Sequence, residues 1–194
     1  MRRLVLASTS PYRRELLGRL GLEFTAVAPD CDEDRLKDQG LPAEALVIRL
    51  AREKAASVAR SYPDAVIIGS DQAAEVDGEI LGKPGTPESA RRQLRRLAGR
   101  EHRLLTALCL LDARTGERAE ELDIHRLRLR RLTEAQIARY VAADDPVDCA
   151  GAYKIEGLGI ALFESVRGTD FTAVIGLPLT RVVAGLHRLG IEIP

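Results

Sequence analysis

The feature that most constrains the fold is the stretch AVIIGSDQ at residues 65–72. It opens with an unbroken apolar run and closes with three polar residues. A strand with one face in water alternates apolar and polar positions, so an unbroken run predicts a strand covered on both faces. We therefore expect a central strand of an α/β sheet, ending at the polar residues 70–72.

Helices and strands alternate along the rest of the chain. Residues 42–62 carry apolar side chains at helical spacing, and Asp77-Gly78 predicts a hairpin turn. The other predicted elements are strands at 4–7 and within 22–29, helices beginning near 11 and at 87–97, a strand and turn at 103–117, a strand at 121–130, a helix at 134–142, a strand at 157–164 and a helix at 177–189. We predict an α/β fold, with a mixed, twisted sheet flanked by helices in one domain spanning 1–194.

Composition argues against several classes of protein. The 194 residues contain 29 basic and 29 acidic side chains, so the net charge of zero gives no general attraction to nucleic acid or membranes. No apolar run approaches the ~18 residues of a membrane helix. The three cysteines, Cys31, Cys109 and Cys149, are odd in number and far apart, which fits a reducing compartment. We expect a cytoplasmic protein.

The junction between the first strand and the first helix reads LASTSPYRRELL, residues 6–17. Amide groups at a helix N-terminus favour an anion, Ser8 and Ser10 add hydroxyl groups, and Arg13 adds a forked, permanent positive charge. This combination predicts a phosphate site. The alternative is an ordinary serine cap beside solvated arginines, and this stretch alone does not decide between them.

Asp71 and three lysines extend this prediction to a triphosphate. Asp71 follows the predicted central strand, where ligands bind in open α/β sheets, and it can hold a divalent ion or take a proton from water. The alternative is a turn or cap residue. Helical spacing puts Lys54 on or beside a buried face, whereas Lys83 and Lys154 lie in glycine-bounded segments. Together with Arg13, these lysines can neutralise a triphosphate.

A bound triphosphate also brings a divalent cation such as Mg²⁺ or Mn²⁺. Mg²⁺ prefers a few carboxylates together with phosphate oxygens. The acidic cluster Asp30, Asp32, Glu33 and Asp34 can supply such a carboxylate. Most acids in such runs are solvated, and we select only Glu33 as a metal ligand.

Together these segments resemble the Maf-type nucleoside triphosphate pyrophosphatases. The resemblance runs nearly end to end through LVLASTSPYRRELL, RLAREKA, IIGSDQ, LGKPGTPESARRQLRRLAGR, CAGAYKIEGLGIALFE and IGLPL, in that order. It implies a Maf/ITPase-like fold with an active-site cleft between two lobes, in a cytoplasmic and often homodimeric enzyme. It also implies that a divalent ion assists cleavage of a nucleoside triphosphate to the monophosphate and pyrophosphate.

Within the family, the SDQ and KIEG segments resemble the branch that prefers 7-methyl-GTP. The resemblance implies that Asp71 is the proton acceptor. It also implies that Tyr12, Gln72 and Glu156 set base specificity. Tyr12 departs from the tryptophan common in that branch, but its ring still attracts the cationic 7-methylguanine. The Glu156 carboxylate can accept from the guanine N1 and amino groups, and Gln72 can both donate and accept.

Two other functions stay open beside removal of 7-methyl-GTP, which would keep modified nucleotides out of nucleic acids. The nearest is the same chemistry on dTTP, UTP or another noncanonical nucleotide. The other is a septum-formation regulator that binds nucleic acid, suggested by the basic runs at 91–100 and 125–131 and by the family's association with septum formation. The neutral net charge, the 4% aromatic content and the lack of stacking residues within those runs argue against it.

Overall fold

A computed structural model of the chain describes residues 2–193. The strands are β1 (Leu4–Ala7), β2 (Thr25–Val27), β3 (Val66–Val76), β4 (Glu79–Leu81), β5 (Glu101–Asp112), β6 (Arg118–Leu129) and β7 (Phe163–Arg167). The α-helices are α1 (Pro11–Gly18), α2 (Glu33–Lys37), α3 (Ala43–Ala59), α4 (Pro87–Leu97), α5 (Glu134–Asp144), α6 (Phe171–Ile175) and α7 (Leu179–Arg188). Short 3₁₀ helices span Ala150–Ala152 and Leu158–Leu162.

The strands form one mixed sheet. Six of them follow the order β2-β1-β3-β5-β6-β7, and β4 pairs with β3 off this path. β1 is parallel to β2 and β3, whereas β4 is antiparallel to β3 and β7 is antiparallel to β6. The predicted fold class, a mixed α/β sheet flanked by helices, is confirmed.

The chain divides into two compact units. The first unit contains the residues up to Asp71, Thr106–Asp123 and the residues from Asp170 onward. The second unit contains Gln72–Leu105 and Ile124–Thr169. The prediction of one functional domain across 1–194 stays a prediction.

The core of the first unit covers both faces of β3. On one face, Leu6 of β1 and Ile68 of β3 pack with Leu17 of α1 and Leu186 of α7, and all four side chains are fully buried. The other face, which includes the fully buried Ile67, lies against α3. Because helices cover both faces, residues 66–69 of β3 are apolar at every position, as the sequence predicts.

Helix α3 approaches β3 closely because position 69 is glycine. A Cβ atom on Gly69 would lie 2.2 Å from the carbonyl oxygen of Ala51 and 3.0 Å from the Cβ of Ala55. Residues 69 and 71 share one face of the strand, and residues 51 and 54 share one face of the helix. The close approach at Gly69 therefore brings Lys54 to Asp71.

Local sequence signals set several elements of the second unit. Asp77 and Gly78 have φ angles of 53° and 79°, the left-handed values of a two-residue hairpin turn. The Thr86 side chain caps α4, and Thr133 forms a capping box at the start of α5. The predicted hairpin turn at Asp77-Gly78 is confirmed.

The predicted end of the central strand is wrong. β3 does not stop at residues 70–72 but continues to Val76. Its last residues pair with β4, with Ala74 opposite Leu81 and Val76 opposite Glu79. Asp71 therefore lies inside a strand, where both neighbouring residues also belong to the sheet, instead of in a loop after it.

The predicted strand at 157–164 is also wrong. Its first part is the 3₁₀ helix Leu158–Leu162, and β7 begins only at Phe163. The tight turn needs Gly159, because a Cβ there would lie 2.3 Å from the carbonyl oxygen of Lys154. The last helix begins at Leu179, two residues later than expected, because Pro178 is its N-cap.

We predict that Gly69→Ala lowers the free energy of unfolding by about 1–3 kcal/mol, because the added methyl group collides with the α3 backbone. Urea denaturation measures the change. The matched control is Gly18→Ala in α1, where a Cβ has no neighbour within 4 Å and alanine favours the helix. Equal stability of the Gly69→Ala variant and the wild type would contradict the close approach of α3.

Candidate active site

Three predicted site residues of the first unit meet at one ammonium group. Lys54 Nζ lies 2.6 Å from Asp71 Oδ1 and 2.9 Å from Glu33 Oε1. Lys54 and Asp71 are only 6% and 7% exposed, and Glu33 is half-buried. The placement of Lys54 on the buried face of α3 is confirmed. A buried ammonium group needs such partners, because an unpaired charge in the interior costs several kcal/mol.

Ser57 ties helix α3 to the acidic segment before α2. Its hydroxyl group donates to the carbonyl oxygen of Lys54 at 2.9 Å and accepts from the backbone N–H of Asp30 at 3.2 Å. The Asp32 side chain then caps α2, so that the helix begins at Glu33. These contacts hold the Glu33 carboxylate within reach of Lys54.

Glu33 lies between two lysines. Its second oxygen, Oε2, is 3.5 Å from Lys37 Nζ, which also pairs with Asp34. Burial raises the pKa of Glu33, but Lys54 and Lys37 together outweigh burial and leave that pKa below its ordinary value. Glu33 is therefore a carboxylate at neutral pH.

The junction before α1 forms a serine cap, and its two arginines differ in exposure. Ser10 is the N-cap of α1 and accepts from the backbone N–H of Arg13 at 3.5 Å. The buried Ser8 accepts from the backbone N–H of Ser10 at 3.1 Å. Arg14 is exposed, as in the ordinary cap, but Arg13 is partly buried. One arginine of the pair is thus partly shielded from solvent.

Arg13 is oriented by a backbone carbonyl group. Its Nε donates to the carbonyl oxygen of Gly176 at 2.9 Å, and Ser70 Oγ donates to the same oxygen at 3.1 Å. Burial lowers the pKa of Arg13, whereas the charges of Asp71 and Glu33 oppose this change. A guanidinium group stays protonated at any physiological pH. Arg13, Glu33, Lys54 and Asp71 form what we call the first-unit charge cluster.

Cys31 lies beside this cluster but is poorly suited to act as a nucleophile. Burial raises the pKa of its thiol, and Lys54 only partly opposes the increase. A thiol with a raised pKa is mostly protonated at neutral pH and reacts slowly. The hydroxyl groups of Ser8 and Ser10 accept hydrogen bonds from backbone amides at the helix cap. These contacts give both serines a helix-cap role, and the raised pKa argues against a nucleophilic Cys31.

The second unit holds the other two predicted lysines in neighbouring segments. Lys83 is exposed on a loop whose Gly85 N–H donates to the carbonyl oxygen of Val147 at 2.9 Å. Lys154 is half-buried, and its Nζ lies 3.9 Å from Asp148 Oδ1. The segments that carry these two lysines thus both contact residues 147–148.

The three predicted specificity residues are distributed over both units. Tyr12 is half-buried in the first turn of α1, in the first unit. Gln72 is half-buried in β3, and Glu156 is exposed between the two 3₁₀ helices; both belong to the second unit. The roles of these residues, and of Lys83 and Lys154, stay predictions.

Five of the nine arginines in the two basic runs pair with carboxylates of the second unit. The pairs are Arg95–Glu134, Arg96–Glu79, Arg100–Asp77, Arg126–Glu101 and Arg128–Glu164. Exposed pairs of this kind contribute little to stability, but each places a negative charge beside the arginine. This arrangement weakens the attraction that a nucleic acid backbone would find.

The acidic residues fit a divalent cation that is shared with a nucleotide. Among residues 2–193, no group of three or more His, Cys, Asp or Glu side chains is placed to hold a metal ion alone. Mg²⁺ at nucleotide sites takes one or two carboxylates and completes its shell with phosphate oxygens and water. The half-buried Glu33, which is ionised at neutral pH, matches that donor set as a single carboxylate.

Sequence reasoning missed three residues that support the cluster. Lys37 follows Glu33 by four positions, a spacing that indicates a helical ion pair. Ser57 lies one helical turn after Lys54 on α3, a weaker signal. The contribution of Gly176 is a backbone carbonyl group, which leaves no side-chain signal at all.

Comparison with known proteins shows which family the chain belongs to. The sequence model of the family described as Maf-like protein matches residues 3–189. A protein named 7-methyl-GTP pyrophosphatase from Xanthomonas campestris pv. campestris is 50% identical over 194 residues, which is 100% of both chains. A protein of the same name from Pseudomonas putida is 49% identical over 191 residues, which is 98% of both chains. Another, from Alcanivorax borkumensis, is 45% identical over 191 residues, which is 98% of this chain and 96% of its own.

Within residues 2–193, no helix is both long and apolar enough to cross a membrane.

His102, in β5, should make stability depend on pH. Its Nε2 lies 2.9 Å from the hydroxyl group of Tyr153, next to Lys154, and burial lowers its pKa to about 4. In the unfolded chain a histidine binds its proton near pH 6.5, whereas the folded His102 binds it only near pH 4. The free energy of unfolding therefore decreases as the pH falls from 6.5 to about 4, and His102 causes no further decrease below pH 4. The loss is on the order of 3 kcal/mol.

We expect unfolding experiments between pH 7.5 and 4.5 to show a smaller loss of stability in His102→Gln than in the wild type. His187→Gln, which alters an exposed histidine of α7, should follow the wild type. The same pH dependence in His102→Gln and the wild type would contradict a neutral, buried His102.

Proposed function

The chain belongs to the Maf family, and we propose that it hydrolyses 7-methyl-GTP to 7-methyl-GMP and pyrophosphate. The observation that carries the proposal is the first-unit charge cluster, in which a buried carboxylate, Asp71, pairs with Lys54 and interacts electrostatically with Arg13. A carboxylate among cations suits hydrolysis of a polyphosphate, because one group accepts a proton while the others bind phosphate oxygens. The cell would thereby keep modified nucleotides out of nucleic acids.

In the proposed reaction, Asp71 accepts a proton from the water molecule that attacks the α-phosphorus. The bond between the α-phosphorus and the bridging oxygen breaks, and pyrophosphate leaves. Arg13 and Lys54 stabilise the negative charge on the phosphate oxygens, and we assign the same role to Lys83 and Lys154 of the second unit. Ser8 binds phosphate at the N-terminus of α1.

Glu33 is the proposed ligand of a divalent cation, Mg²⁺ or Mn²⁺. When bound, such an ion would withdraw charge from the triphosphate. Glu33 supports this role because its pKa lies below the ordinary value, which keeps it ionised. The Lys37 ammonium group, 3.5 Å from Glu33 Oε2, orients this carboxylate.

Base recognition is assigned to Tyr12, Gln72 and Glu156. The Tyr12 ring attracts the positively charged 7-methylguanine through its electron-rich face, and Glu156 accepts from the N1 and amino hydrogens. Gln72 contacts another edge of the base. Specificity for dTTP or UTP is the alternative, and a comparison of turnover across a nucleotide panel distinguishes the two.

Cellular context completes the proposal. We place the enzyme in the cytoplasm, which agrees with three cysteines that form no disulfide bond. We also propose that the chain forms a homodimer. Light scattering can measure its molar mass. Nucleic acid binding is a weaker alternative, because carboxylates pair with arginines of both basic runs.

Purified protein with Mg²⁺ should convert 7-methyl-GTP to the monophosphate and pyrophosphate, and chromatography of the products checks this. Release of free phosphate instead would contradict attack at the α-phosphorus.

Asp71→Asn should lower kcat by about 10²- to 10⁴-fold, because the general base is lost. Asp64→Asn is the matched control, since Asp64 is an exposed aspartate of the same unit, shortly before β3. Full turnover by Asp71→Asn would remove Asp71 from its role.

Tyr12→Ala should reduce the preference for 7-methyl-GTP over GTP by about two- to thirtyfold in kcat/KM. This range corresponds to the ~0.5–2 kcal/mol of a cation–π contact. Tyr12→Phe keeps the ring face and should retain the preference. An unchanged ratio in Tyr12→Ala would show that the ring does not recognise the methylated base.

A further inference from the structure

The segment from Asp170 to Thr180 carries a buried acid that the proposed reaction does not use. Asp170 is 4% exposed and accepts four hydrogen bonds from two threonines. Its Oδ1 accepts from the N–H and hydroxyl groups of Thr172 at 2.9 and 2.5 Å, and its Oδ2 accepts from the same groups of Thr180 at 2.8 and 2.7 Å. One carboxylate therefore fixes the starts of α6 and α7 relative to each other.

Two further hydrogen bonds fix the segment between these helices. The Thr172 hydroxyl group also accepts from the backbone N–H of Leu179 at 2.8 Å. Thr106 of β5 donates from Oγ1 to the carbonyl oxygen of Ala173 at 2.9 Å. The helix–turn–helix segment is thus attached to the sheet of the first unit.

The segment turns at Gly176, whose carbonyl group points at the charge cluster. Gly176 has φ 135°, a left-handed value that favours glycine, and its carbonyl oxygen accepts from both Arg13 Nε and Ser70 Oγ. Ser70 directly precedes Asp71 in β3. One oxygen atom therefore sets the position of a cationic side chain and of the strand that carries the carboxylate.

We propose that Asp170 and Thr172 are positioning residues, which hold the Gly176 carbonyl group so that it aims the Arg13 guanidinium group at a polyphosphate. The proposal rests on the proposed function, since it takes Arg13 as a phosphate ligand. The bond to Gly176 uses Nε and leaves the two terminal nitrogens of the guanidinium group for paired contacts with phosphate oxygens. A fixed guanidinium group also loses less conformational entropy when it binds.

The test is a double-mutant cycle between Thr172→Val and Arg13→Gln, with isothermal titration of inorganic tripolyphosphate as the binding measurement. Thr172→Val keeps the side-chain shape but removes the hydroxyl group. Alone it should weaken binding at least about threefold, whereas in the Arg13→Gln background it should change binding less than about twofold. Equal effects in both backgrounds would overturn the proposal.

Rescue and control variants separate positioning from stability. Thr172→Ser restores the hydroxyl group and should restore binding. Thr133→Val removes the cap of α5 in the second unit, so it should lower Tm by a similar amount and leave tripolyphosphate binding unchanged. If Thr172→Val does not fold, Thr180→Val, which removes one hydrogen bond to Asp170 at an exposed position, replaces it in the cycle. A cycle that is additive with Thr180→Val would equally overturn the proposal.

The kinetic constants for 7-methyl-GTP provide a second measurement. Because binding before the chemical step depends on Arg13, Thr172→Val should raise KM more than it lowers kcat. A wild-type protein that binds tripolyphosphate but does not turn over 7-methyl-GTP would contradict the proposed function and leave the cycle interpretable. A wild-type protein that is active and yet shows no coupling would contradict only the positioning role.

Discussion

The buried ion pair between Lys54 and Asp71 is the interaction on which the site depends. Two charges removed from water are stable only when each has a partner and good geometry, and here the pair is 2.6 Å apart, with Glu33 as a third member. The pair in turn depends on Gly69, because any larger residue would push α3 away from β3. A position without a side chain therefore determines where the functional side chains meet.

Much of the site was predictable because its signals are local. The helical spacing of 42–62 placed Lys54 on a buried face, and Ser10 caps α1 as its sequence context indicates. The extent of β3 was not predictable from the apolar run, since its second half is held by pairing with β4, a tertiary interaction. The contact of Arg13 with the Gly176 carbonyl oxygen was also not predictable from the sequence, because it joins residues 163 positions apart through a backbone atom.

The two basic runs show why charge patterns in a sequence need the tertiary structure. Arg95 and Arg128 are separated in sequence from Glu134 and Glu164, so the sequence alone displays unbalanced positive charge. Folding places each acid beside its arginine. The error at 157–164 has a related cause: LGIALFE has the composition of a strand, but Gly159 permits a tight turn against Lys154.

Ser70 and Asp71 are consecutive in β3 and therefore face opposite sides of the sheet, one toward the Gly176 carbonyl oxygen and the other toward Lys54. A deletion of one residue between 65 and 69 would exchange these two orientations, because side chains alternate with a period of two. The number of residues in this half-strand is thus constrained more tightly than the identity of its aliphatic residues 65–68. Evolution can substitute one aliphatic residue for another there far more easily than it can accept a gap.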